Sequence, residues 1–139
     1  MVVANNLMPE ILALEKLILD APQVEMPVAH YQIGGVYARA LFIPQGVVLT
    51  GKIHNTESIG ILAQGTLRIC NGESYSEMTA PHIMIDKAGI KRIGYAVTDC
   101  TFITVHRTDL TEIADIEEEL TSMTFEEFEQ KTKLLEMKK

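Results

Sequence analysis

The sequence predicts a mainly β fold, a sandwich or barrel with a helix before it and one or two helices after it. From about Val28 to Thr108, apolar residues come in short runs with period-two stretches, split by turn residues. There are eight or nine such runs at close spacing, which favours a sandwich or barrel over a parallel α/β fold. On either side of them the apolar spacing changes to that of helices.

The first helix is predicted from Asn6 to Asp20, where Leu7, Ile11, Leu14 and Ile18 recur on one face with Leu17 beside them. Ala21-Pro22 ends it, because proline disfavours helix in the residue before it. Strands follow near residues 29–33, 36–43, 47–54, 58–64, 66–70, 74–80, 82–86, 90–97 and 100–107. Between them stand Gly34-Gly35, Pro44-Gln45-Gly46, Gly65, Asn71-Gly72, Pro81, Lys87-Ala88-Gly89 and Asp99, of which Asn71-Gly72 is a strong tight-turn signal. After Asp109, Ile113, Ile116 and Leu120 form an apolar stripe, with Glu117, Glu118 and Glu119 toward water. A last helix starts at Thr124, where Thr124 and Glu127 fit a capping box. Phe125, Phe128, Leu134, Leu135 and Met137 give it an apolar face that must pack on the barrel or on another subunit. The chain thus divides into an N-terminal helix and linker (1–27), a β-barrel (28–108) and an acidic helical segment (109–139).

The length, 139 residues, and a hydrophobic fraction of 47% fit one globular domain. The net charge of −7 is unevenly spread: residues 1–108 are nearly balanced and residues 109–139 carry most of it. Such a tail disfavours general binding to nucleic acid or to an anionic membrane, and leaves open a small anionic ligand elsewhere. No basic leader opens the chain, and Glu10 and Glu15 interrupt its first apolar run, so a cytoplasmic protein is expected. Cys70 and Cys100 lie in strand-like apolar surroundings and read as buried thiols, with a disulfide or redox pair as the alternative.

Chemistry concentrates around Gly51-Lys52-Ile53-His54-Asn55-Thr56-Glu57. Imidazole and carboxylate at this spacing can hold a transition metal, with His106 on the last strand as the third ligand of a sparse His54, Glu57, His106 set. Period-two alternation places Lys52 on the face of His54 and Thr50. Arg92 cannot bind metal and attracts carboxylate or phosphate instead. Lys52, His54, Arg92 and His106 around one acid, Glu57, make a lining for an anion. An Arg92–Glu57 ion pair closing the mouth is the competing arrangement. Tyr95 is a candidate stacking wall, or else a plain barrel residue, as are Tyr31 and Tyr37. His30 and His82 show no ligand spacing. No nucleophile elbow, phosphate loop or dinucleotide fingerprint occurs.

Residues 43–108 resemble the cupin superfamily. Its first motif, G-x5-H-x-H-x3,4-E-x6-G, is met loosely by His54, Glu57 and Gly65, with Lys52 where the other histidine would stand. Its second, G-x5-P-x-G-x2-H-x3-N, is met at Gly89, with Arg92 in place of the histidine and Ala96 in place of the asparagine. The run Gly51-Lys52-Ile53-His54 with Thr56-Glu57, then Gly89-Ile90-Lys91-Arg92-Ile93-Gly94-Tyr95-Ala96, then His106, is similar to short cupin-like proteins of tailed bacteriophages. The resemblance implies a jelly-roll barrel, and pairing through an exchanged N-terminal strand into a dimer or larger homo-oligomer.

Three roles follow as expectations. The first is a non-enzymatic binding protein with no cofactor. It would take an anionic nucleotide or phosphorylated sugar, and in a phage setting would sequester a host signalling nucleotide. The second is a cupin enzyme of sugar isomerase or dioxygenase type, metal-free or with a divalent transition metal, using His54 or His106 as general base. The third is a virion structural or accessory protein.

Overall fold

The computed structural model describes residues 7–71 and 74–137. Asn6 of the expected helix and Gly72 of the expected tight turn lie outside the described residues.

Helix α1 (Met8–Asp20) is followed by strands β1 (Val28–Ile33), β2 (Val36–Ile43), β3 (Val48–Thr50), β4 (Ile53–His54), β5 (Ser58–Gln64), β6 (Thr66–Cys70), β7 (Tyr75–Thr79), β8 (His82–Asp86), β9 (Ile93–Ala96) and β10 (Cys100–Arg107). Helix α2 (Ile113–Leu120), the short β11 (Thr121–Ser122) and helix α3 (Phe125–Met137) complete the chain. One antiparallel sheet runs β1-β2-β10-β5-β8, a second runs β3-β9-β6-β7, and β4 pairs with β11. The core between the two larger sheets is Ile43, Leu62, Leu67, Ile69, Ala96 and Cys100, all supplied by alternate positions of their strands. Cys70 and Cys100 are free and buried, as their apolar surroundings suggested.

The expected strand 47–54 is two strands. The chain leaves the sheet at Gly51, whose amide bonds the Arg92 carbonyl, and re-pairs with β11. Alternation is lost across that break. His54 therefore faces the barrel interior and exposed Lys52 lines the mouth of the cavity, while Thr50 turns outward and donates to Glu15 of α1. Beside it, buried Lys91 reaches Glu15 at 2.7 Å and the Gly51 carbonyl at 2.9 Å, fastening α1 to the barrel. β1 pairs with β2 of its own chain, His30 opposite Arg39, through a hairpin at Gly34-Gly35.

Gly65 joins β5 to β6 with φ +89°, and a Cβ there would strike the Asp99 carbonyl oxygen and the Thr98 hydroxyl. Backbone cannot give way as a side chain can. Gly65→Ala is expected to destabilise by about 3 kcal/mol or more, from left-handed strain plus overpacking, read as a lowered urea midpoint with unchanged m.

The C-terminal segment docks on the barrel rather than trailing from it. Ile116 and Leu120 of α2 pack on buried Tyr37. Asn55 receives Ser122 Oγ at 2.6 Å and donates to the Glu119 carbonyl at 2.9 Å. The capping box forms in part: the Glu127 amide donates to Thr124 Oγ1, while the Glu127 carboxylate accepts from Met123 instead of Thr124. Phe128 of α3 lies over Gly89, where a Cβ would stand 3.1 Å from its ring. No helix is long and apolar enough to cross a membrane, among the described residues.

Candidate functional site: a cationic barrel cavity beside a histidine pair

A cavity of about 130 Å³ opens between the two sheets. Its walls are mostly apolar, among them Leu41, Leu49, Leu67, Ile69 and Phe102. Arg39, Lys52, His54, Asp86, Arg92 and Thr104 supply the polar lining. Arg39 projects from β2 opposite Thr104 of β10.

Asp86 closes β8 and is 2% exposed. It is ion-paired with Arg92, whose side chain is 20% exposed. Gly60 makes room for this carboxylate: a Cβ on Gly60 would lie 2.9 Å from Asp86 Oδ2. Burial holds the Arg92 guanidinium down at about 10, so it stays charged at neutral pH. Arg39, by contrast, makes no ion pair among the described residues. The cavity therefore contains one neutralised guanidinium and one free one, with Lys52 at its exposed side.

Deeper in the same end of the barrel, the His54 and His106 rings meet edge to face with centroids 5.2 Å apart. His106 stacks on Tyr37 at 6.3 Å, and the Tyr37 hydroxyl is hydrogen-bonded to His30 Nδ1 at 2.6 Å. Four rings from β4, β10, β2 and β1 thus form a row under α2. His54 is pushed down to about 4, by burial first and then by His106, Arg92 and Arg39. His106 is lowered as well, by burial and then by Arg39. Both imidazoles are neutral at neutral pH, and His106 Nδ1 is buried with no partner among the described residues.

Lys52, His54 and Arg92 line the cavity, and His106 stands directly behind His54. Two expected residues lie elsewhere. Glu57 is exposed, because it precedes Ser58, whose side chain points inward toward His54 Nδ1 at 3.4 Å. The carboxylate that pairs Arg92 is thus Asp86 and not Glu57. Tyr95 is three residues after Arg92, an odd step along an extended chain, so it faces outward. There it lies on the outer face of β9, with the Arg68 guanidinium 5.9 Å from its ring centre. Sequence reading passed over Arg39 and Asp86. Each is a lone charge in an otherwise apolar strand, Val36–Ile43 and His82–Asp86, and that is the signal each carried.

His54, Glu57 and His106 do not converge, and no group of three His, Cys, Asp or Glu side chains is placed to hold a metal ion, among the described residues. The donors at hand are two imidazoles beside two guanidiniums, with the one interior carboxylate engaged by Arg92. That set fits a transition metal poorly, since fixed positive charge repels a cation and no anionic ligand is free.

No family model and no curated protein matches this sequence. Solved structures do match in shape, and they define the class: the chain has the cupin fold. One is a cupin superfamily protein from Desulfitobacterium hafniense, 10% identical, TM-score 0.53, covering 64% of this chain and 83% of that one. Another is KdgF from Halomonas sp., 15% identical, TM-score 0.53, covering 63% of this chain and 86% of that one. A protein from Photorhabdus luminescens is 12% identical with TM-score 0.55, covering 63% and 78%. At these identities the likeness establishes the fold alone.

Proposed function

We propose that this cupin barrel is a binding module for a small anion, a carboxylate or phosphate joined to a compact apolar group. The observation that carries this is Arg39, a guanidinium without an ion-pair partner set in an apolar cavity with Lys52 nearby. Arg39 is half-buried; a partly desolvated charge without a counterion is unfavourable, and a ligand anion bonded bidentately to it offsets that cost. Arg92 contributes less than its motif position suggests, because Asp86 already neutralises it. Leu41, Leu49, Leu67 and Phe102 would receive the apolar part.

The cavity, about 130 Å³, is smaller than the roughly 300–1,000 Å³ of pockets for drug-sized ligands. A nucleotide or phosphorylated sugar would seat only its anionic end, the rest projecting past Lys52. The motif likeness to tailed-phage proteins supports a phage origin, and on that reading the module withdraws a small host anion from solution.

The acid–base enzyme reading draws on neutral His54 at the cavity wall. A group held at about 4 is a weak base near neutrality, so this support is slight. Thermal melting against a panel of small carboxylates and phosphate esters tests the proposal. At least one acid should raise the melting temperature of the wild type. Arg39→Gln should lose at least tenfold in affinity for it, the scale of one charge-assisted hydrogen bond. Equal shifts in both proteins would remove Arg39 from the site.

A further inference from the structure

The outer face of the second sheet is only half covered. The register sets Val48, Tyr95, Arg68 and Glu77 in one row across β3, β9, β6 and β7, and Thr50, Ile93, Cys70 and Tyr75 in the next. Helix α1 lies over the second row: Met8 and Ile11 pack with Cys70 and Ile93, and Glu15 accepts from Thr50. Along the flank of α1, beside the first row, a groove of about 420 Å³ remains. That falls within the roughly 300–1,000 Å³ of small-molecule sites. The barrel cavity lies on the other side of this sheet, where the alternate residues Leu67 and Ile69 line it.

Leu7, Glu10, Ile11 and Leu14 follow one another at helical steps of three and four and form the α1 wall of the groove. Glu10 is the single charge in that stripe, and it makes no ion pair among the described residues. Its first-turn position suits the helix dipole, which accounts for an acid there and not for the two rings that share the groove with it. Tyr75 is 70% exposed and Tyr95 37%. Arg68, the other charge in the lining, is neutralised by Glu77 at 2.9 Å. Its guanidinium stands 5.9 Å from the Tyr95 ring centre, so that ring already meets one cation. The uncompensated charge in the groove is therefore the Glu10 carboxylate. Tyrosine faces and a carboxylate attract a cation, while an apolar floor of Val48 and Ile93 disfavours one that keeps its full hydration shell.

We propose that this groove is a second ligand site, for a small organic cation. The ammonium group rests against Tyr75 and Tyr95 with Glu10 as its counterion, and the apolar part lies over Val48 and Ile93. An anion would meet Glu10 with only a neutralised Arg68 to offset it, so the two sides of the second sheet select ligands of opposite charge.

Amide-resolved NMR of the nitrogen-labelled chain, titrated with benzyltrimethylammonium, tests the site. The amides of Glu10, Leu14, Arg68, Tyr75 and Tyr95 should shift together and saturate. Choline should move the same amides more than neohexyl alcohol, its uncharged isostere. Glu10→Gln and Tyr75→Leu, both at exposed positions, should each weaken benzyltrimethylammonium binding about fivefold, the scale of one exposed ion-pair or cation–π contact. An absence of shifts at these amides at millimolar concentration would overturn the proposal. So would equal responses to choline and its isostere in the wild type, or undiminished binding by both variants.

Discussion

Asp86→Ala is expected to destabilise the fold by about 3 kcal/mol, the lower end of the cost of removing one partner from a buried ion pair. The lower end applies because the Arg92 side chain retains 20% exposure and can partly recruit water. The loss arises from the guanidinium left behind, which burial already disfavours, and not from the strength of the pair itself. Replacing both residues with apolar ones of similar size, Asp86→Leu with Arg92→Met, should therefore recover much of it. Urea melts of the three proteins measure this. The substitution should also act on ligand binding. With Asp86 gone, Arg92 becomes a second free cation in the cavity, so Asp86→Ala should bind a small carboxylate more tightly while being less stable. Weakening of both together would mean that the pair shapes the cavity rather than neutralising it.

Acid should destabilise the protein through His54 over a defined range. The unfolded chain takes up the proton near 6.5 and the folded chain only near 4. Between those values the unfolded state binds more protons, so stability rises with pH there. His54 thus costs nothing above about 6.5, and costs about 3 kcal/mol once the pH has fallen through 4. His106, lowered in the same direction, adds to the slope. His54→Gln should flatten the dependence of unfolding free energy on pH across this window while leaving the steeper carboxylate region below it. An unchanged slope would mean that His54 is solvated in the folded protein.

The succession of helices, strands and turns and most element boundaries were legible because they depend on local chemistry, while the order of strands within the sheets was not. Gly65 and Gly89 adopt positive φ at turns, Pro22 ends α1 at Asp20, and period-two runs gave β1, β2, β5, β6, β8 and β10 within a residue or two. The site was only half legible. Lys52, His54, Arg92 and His106 carry a motif and a spacing, and all lie at or beside the cavity. Glu57, expected from its motif spacing, is exposed, and Tyr95, read either as a stacking wall or as a plain barrel residue, lies on the outer face of β9, because pleat parity decides the face. Asp86 and Arg39 come from strands far apart in sequence, and only sheet pairing brings them to the cavity that Arg92 lines. The same holds for the row His30–Tyr37–His106–His54, which crosses four strands.

Arg39 in the barrel is proposed as the anion site. A crystal grown with a bromine-labelled benzoate tests it most directly, because the anomalous signal of bromine locates the molecule without reference to any model. Bromine among Leu41, Leu67 and Phe102, with the carboxylate on Arg39, is the predicted result. Bromine only on the outer surface, with Arg39 still unpaired at saturating acid, would contradict it.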